Sequence, residues 1–160
     1  MQLFIKLASL VAVVIMTAQG NPVGQPETSP KEDEASEPSP MIMSNKELRN
    51  WIRTTKGEFK FIGEKFDLED NPLESRDAQV TTVTFCSNRN GGLCNPPCTT
   101  ATGAGICISA PNTNCLVATT DVRFCSSSGC RGACNSFNSC GTRLNNNFCF
   151  TPNTQSISLP

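Results

Sequence analysis

The sequence predicts a small all-β, disulfide-rich domain built from a tandem internal repeat, preceded by a disordered acidic leader and a short helix. Three observations lead there. All ten cysteines lie in residues 86–149, the motif T-x-V-x-F-C-S occurs at 81–87 and again at 120–126, and composition changes sharply near residue 77. Residues 21–77 carry 8 cationic against 13 acidic side chains, a net of −5, whereas residues 78–160 carry 4 arginines against Asp121, a net of +3. An acidic leader joined to a mildly basic cysteine-dense domain suggests a propeptide that shields or assists the domain.

The first twenty residues read as a secretory signal. One cation, Lys6, precedes the apolar run LASLVAVVIM, and Ala18 and Gly20 stand where a signal peptidase reads before Asn21. The run is far shorter than the roughly 20 residues that span a bilayer, so no membrane span is expected. A secreted chain folds in an oxidising compartment where disulfides persist.

Residues 21–43 follow as a Pro/Ser/Glu-rich segment, expected to be disordered because it holds too few large apolar side chains to offset ordering. Residues 44–76 read as a helix-strand leader and candidate propeptide. In MSNKELRNWIRTTKG, Ser44 and Glu47 form an S-x-x-E capping box and Met43 is placed to staple onto Leu48. Leu48, Trp51 and Ile52 make an apolar stripe, and Gly57 stands where a C-terminal cap belongs. In EFKFIG, Phe59 and Phe61 share one face of a short strand that, with the helix, has the following domain to dock against. Arg76, in LESRDAQV, is the candidate processing site; with no dibasic pair beside it, an ordinary exposed linker arginine is the competing reading.

The cysteine domain occupies residues 77–160, with repeats at about 81–113 and 120–154. After T-x-V-x-F-C-S the copies share G-x-C-N (Gly92, Gly132), one cysteine (Cys98, Cys140), another nine residues on (Cys107, Cys149), and P-N-T (Pro111, Pro152). Equivalent cysteines are therefore Cys86, Cys94, Cys98 and Cys107 in the first copy and Cys125, Cys134, Cys140 and Cys149 in the second, leaving Cys115 and Cys130. Spacing leaves connectivity open. The repeat favours two bridges within each copy, wired alike, and a fifth, Cys115–Cys130, joining them; interleaved pairing is the rival. A core this small seldom supplies more than ~3–5 kcal/mol, and each bridge adds roughly 2–3 kcal/mol, so disulfides decide whether the domain folds.

Within T-x-V-x-F, Thr81, Val83 and Phe85 share a buried face while Thr82 and Thr84, or Asp121 and Arg123, point outward. GICIS, CLVAT, NFCF and SISL are further strand candidates, separated by the turn-prone NRNGG, APNTN, SSSG and LNNN. A helical turn at most is expected near the closely spaced cysteines.

Functional signals are sparse. The chain has no histidine, which removes Ser-His-Asp and Cys-His catalysis and His-ligated zinc, and Asp121 stands alone as a carboxylate in the cysteine domain. Cys94-x3-Cys98 and Cys130-x3-Cys134 have metal-like spacing but are expected to be bridged. No cofactor, metal or nucleic acid is indicated. Sugar binding would use Trp or Tyr faces, which residues 77–160 lack. Arg131 and Arg143 are the exposed cations that a partner would meet, and Arg143-Leu144, between Cys140 and Cys149, is an inhibitor-like candidate bond.

The stretches NWIRTTKGEFKFIG and VTFCSN and the ending SCGTRLNNNFCFTPNTQSISLP resemble a group of small cysteine-rich secreted proteins of mushroom-forming fungi. The absence of adjacent cysteines separates the chain from hydrophobins. The resemblance covers residues from about 45 to 160 and implies an effector-like or signalling class, with leader and domain belonging together and no catalytic residues to carry over. The reading at this level is a secreted, monomeric, non-enzymatic protein binding an extracellular or host protein or surface. A toxin or antimicrobial released from the acidic leader, and a protease inhibitor using the Arg143 loop, are the alternatives.

Overall fold

In the computed structural model, residues 41–63, 66–69 and 80–160 are described. The signal segment with Gly20, most of the acidic leader and Arg76 lie outside them. One α-helix, α1 (Asn45–Thr54), precedes seven strands: β1 (Phe59–Gly63), β2 (Thr81–Asn90), β3 (Leu93–Gly103), β4 (Cys107–Ala118), β5 (Arg123–Ser127), β6 (Arg131–Ser136) and β7 (Cys149–Ser158). They form one sheet in the order β1-β3-β2-β4-β7-β5-β6, antiparallel except for the β1–β3 pair. The expected disulfide-stapled all-β domain is present, with the short helix before it.

The capping box starts α1 as expected. Ser44 Oγ accepts the Glu47 N–H at 3.3 Å, and the Glu47 carboxylate accepts the Ser44 N–H at 2.9 Å and hydroxyl at 2.6 Å. These bonds, the hydroxyl first, hold the Glu47 carboxyl below the usual glutamate range. A depressed folded pKa means that the cap's contribution is full above the unfolded-state pKa and is lost as pH falls through the folded one. Carbon-detected NMR titration is expected to give a Glu47 midpoint below that of a free glutamate, and Ser44→Ala is expected to move it upward.

The leader is part of the core rather than an appendage. Leu48 and Ile52 of α1 are buried with Val83, Leu116 and Phe148, and the Met43 N–H donates to the Ala118 carbonyl at 3.0 Å. Met41 is buried as well, so the disorder expected as far as residue 43 does not extend to Met41 or Met43. Gly57 does not cap the helix. Thr55 ends it in an extended conformation with its N–H on Trp51 O, while Gly57, at φ 144°, lies where a Cβ would come within 2.5 Å of Pro96 Cβ. Along β1, Phe59 is half-buried against Trp51, but Phe61 stays 44 % exposed and Ile62 packs on the core instead. An edge strand beside a short helix receives cover over only part of its length.

Thr82 and Thr84 do not face solvent as the alternation suggested. Both are buried, and their hydroxyls pair with Thr102 and Thr100 of β3 at 3.3 and 2.8 Å. A strand interior to the sheet can be covered on both faces when its hydroxyls find partners. Asp121 and Arg123 are exposed, as expected. The P-N-T motifs do not separate strands either. Asn112 (φ 60°) and Asn153 (φ 64°) are left-handed residues within β4 and β7, each followed by a threonine whose hydroxyl returns to the carbonyl three residues back. The register breaks there, so APNTN is a bulge inside one long strand. β3 was not among the expected strands, and it contains Pro96 and Pro97. They fall where the β2–β3 register shifts, and Asn88 Nδ2 donates to Pro96 O at 3.0 Å.

The two motif copies match in part. Phe85 opposite Leu116 and Cys86 opposite Cys115 have counterparts in Phe124 opposite Ile157 and Cys125 opposite Ser156, and Thr113 faces Thr154 across β4 and β7. The bridges do not match. Cys115 joins Cys94 and Cys130 joins Cys107, in place of the expected Cys115–Cys130; the others are Cys86–Cys98, Cys125–Cys134 and Cys140–Cys149. Cys98 therefore corresponds to Cys134 across the sheet, and wiring differs between the copies. The reason lies in β7. Cys130 donates its N–H to Ser156 Oγ at 2.8 Å, and Ser156 lies opposite Ser109, which carries Cys130 toward Cys107 at the start of β4 and away from Cys115.

Candidate functional site

A helix with one apolar stripe leaves its flank free to line a surface, and in α1 that flank is Glu47, Asn50 and Thr54, with Trp51 at the border. These side chains form one wall of a cleft of about 390 Å³. The opposite wall is the start of β3, Leu93 to Asn95, and the loop residues Asn146 and Asn147. The volume falls within the range of small-ligand sites, about 300–1,000 Å³.

Each wall is held by something rigid. The Trp51 ring stacks at a tilt on Phe148, 4.7 Å between centroids, and meets Phe59 edge-on at 5.7 Å. Phe148 is fully buried, and beside it Cys149 is bridged to Cys140. The Asn145 N–H donates to Gly92 O at 2.9 Å, which fastens the loop to the β2–β3 hairpin, and the Leu144 N–H donates to Phe148 O at 2.7 Å, which closes the loop on itself. Between those anchors Asn146 and Asn147 are both left-handed, at φ 57° and 58°, a conformation that asparagine tolerates better than most residues. On the other wall Cys94 is bridged to Cys115, while Leu93 beside it is 45 % exposed.

The chemistry of the lining is neutral hydrogen bonding. Four asparagines and two threonines, Thr54 and Thr55, surround the indole, and Glu47 is the single ionisable side chain among them. Its carboxylate is engaged by Ser44 and titrates below the usual range, the wrong direction for a general acid near neutral pH.

The residues singled out in the sequence lie elsewhere. All ten cysteines are bridged, including the four with metal-like spacing, and among the described residues no group of three potential ligands is assembled for a metal ion. Asp121 accepts from the Ser136 hydroxyl at 2.8 Å and the Asn138 N–H at 2.9 Å, which pins the 3-10 turn Phe137–Ser139. Arg131 is exposed at the start of β6, at the sheet edge opposite β1. Arg143 is exposed too, but its backbone bridges Cys149, and Leu144 after it is half-buried against the core. Neither arginine lines the cleft. Gly20 and Arg76 fall outside the described residues.

Sequence reading missed Asn50, Asn95, Asn146 and Asn147 and placed Trp51 only in the apolar stripe. LNNN was legible as a turn; nothing in the linear order joins it to a helix some ninety residues earlier. Comparison with protein-family models, with curated proteins and with solved structures finds no match for this chain. Among the described residues no helix is long and apolar enough to cross a membrane.

Proposed function

We propose that the protein is a secreted, non-enzymatic binding protein of effector-like or signalling type, acting as a monomer and recognising an extracellular or host target through the cleft between α1, β3 and the loop at Asn146. The observation that carries this reading is the lining: donors and acceptors without a competent acid–base pair, set on a disulfide-pinned frame. Five bridges in so small a domain support an oxidising, extracellular setting.

Leader and domain act together in this reading. Glu47, Asn50 and Trp51 come from the leader and Asn95, Asn146 and Asn147 from the cysteine domain, so release of the domain as a toxin would dismantle the cleft. The inhibitor reading needs a presented Arg143-Leu144 bond, and the Leu144 N–H is already given to Phe148 O.

The test uses the fluorescently labelled secreted chain on intact cells of the producer and of its host. Asn146→Gly with Asn147→Gly removes two amides while suiting the left-handed backbone, and Asn50→Ala improves helix propensity. Both variants are expected to keep the wild-type melting temperature and to lose cell-surface retention about tenfold, the size of one or two hydrogen bonds. Retention unchanged in both would refute the cleft as the recognition surface, and steady release of product from the cells would overturn the non-enzymatic reading.

A further inference from the structure

The composition of the cleft narrows its ligand. Resting on the binding reading above, we infer that the cleft takes a neutral saccharide.

No Lys or Arg lines the cleft, so the surface offers no counter-charge to a phosphate or a sulfate, and the one carboxylate, Glu47, gives one of its oxygens to the Ser44 helix cap. Asn50, Asn95, Asn146 and Asn147 line the cleft, a side-chain amide carries two N–H donors and a carbonyl acceptor, and the Asn95 amide already gives one N–H to Leu93 O. Adjacent hydroxyls on a sugar ring also donate and accept at once, so a set of amides satisfies them where an array of pure donors or pure acceptors does not. The apolar part is small and is shared between the two walls. Trp51 is half-buried with its ring fixed by Phe148 and Phe59, and Leu93 is exposed opposite it, which suits the C–H face of a pyranose. A peptide ligand would call for a deeper apolar pocket, since amide and hydroxyl groups dominate the lining here. The Asn146 and Asn147 backbone is set before any ligand arrives, which lowers the ordering cost that weakens polar recognition.

Trp51 is the chain's only tryptophan, so intrinsic fluorescence reports on this cleft. The full secreted chain is titrated with soluble neutral hexasaccharides of glucose, of mannose and of N-acetylglucosamine, each to on the order of 10 mM, with calorimetry in parallel. At least one is expected to shift the tryptophan emission with a sub-millimolar Kd, to bind equally at low and high salt as an uncharged ligand must, and to bind about tenfold more weakly to the Asn146→Gly/Asn147→Gly variant. No response to any of the three, with cell-surface retention still dependent on the cleft, would overturn the saccharide and leave the binding reading standing with a protein target. Binding that survives the substitutions, or that salt abolishes, would overturn the inference as well. Loss of cleft-dependent retention together with saccharide binding would refute both readings.

Discussion

Leu48→Ala is expected to lower the melting temperature of the protein by roughly 10–20 °C, corresponding to a loss of about 2–5 kcal/mol. Leu48 is fully buried among residues of the cysteine domain although it belongs to the leader, and it stands in the first turn of a helix whose cap and stripe are both formed. Truncation removes its transfer energy and leaves a cavity against the sheet. A dispensable propeptide makes the opposite prediction, since a domain that is complete from residue 77 onward is indifferent to this position. Differential scanning calorimetry of the full chain and of Leu48→Ala decides between them, and equal melting temperatures would return the leader to the status of an appendage. The stakes extend to the site, because α1 carries Trp51 and Asn50 into the cleft.

Complete reduction should produce a still larger effect, loss of the sheet at ambient temperature. The bridges span separations of 9 to 23 residues, and closing loops of that size stabilises by about 2.5–3.5 kcal/mol each. The total stability of such a domain is only about 5–15 kcal/mol, so the loss of several bridges exceeds what packing supplies. Circular dichroism with and without dithiothreitol reads the outcome, and a reduced chain that keeps its strand signal would show that the core suffices. The pairing itself is open to peptide mapping under non-reducing conditions. Cys94 is expected in one peptide pair with Cys115, and Cys107 with Cys130; a Cys115–Cys130 peptide would contradict the fold at its centre. The double variant Cys107→Ser/Cys130→Ser is expected to fold with stability reduced by about 3 kcal/mol, since this bridge ties β4 to the β5–β6 turn.

Local chemistry is legible in the residues themselves. The helix from Ser44, the hairpin at Gly91 and Gly92 and the turn after Ser127 depend on side chains within a few positions of one another, and the sequence carries their signals directly. The even count of ten closely spaced cysteines likewise implies a stapled domain. Two local signals mislead for local reasons. Pro96 and Pro97 normally argue against a strand, and a register shift accommodates them; P-N-T normally ends a strand, and a left-handed asparagine with a threonine return bond lets β4 and β7 continue through it.

What the sequence could not contain is which distant segments meet. Motif similarity suggests Cys115–Cys130, yet β7 inserts between β4 and β5 and brings Ser156 beside Ser109, so Cys130 arrives at Cys107. The cleft is the same kind of fact: Trp51 on a helix, Asn95 on a strand and Asn146 on a loop become neighbours only because α1 packs into the core of the sheet it precedes. Residue types and short spacings determine elements through short-range hydrogen bonds and backbone preferences. Partners far apart in the chain are selected by burial of the whole apolar set at once, and that selection exists only in the folded molecule.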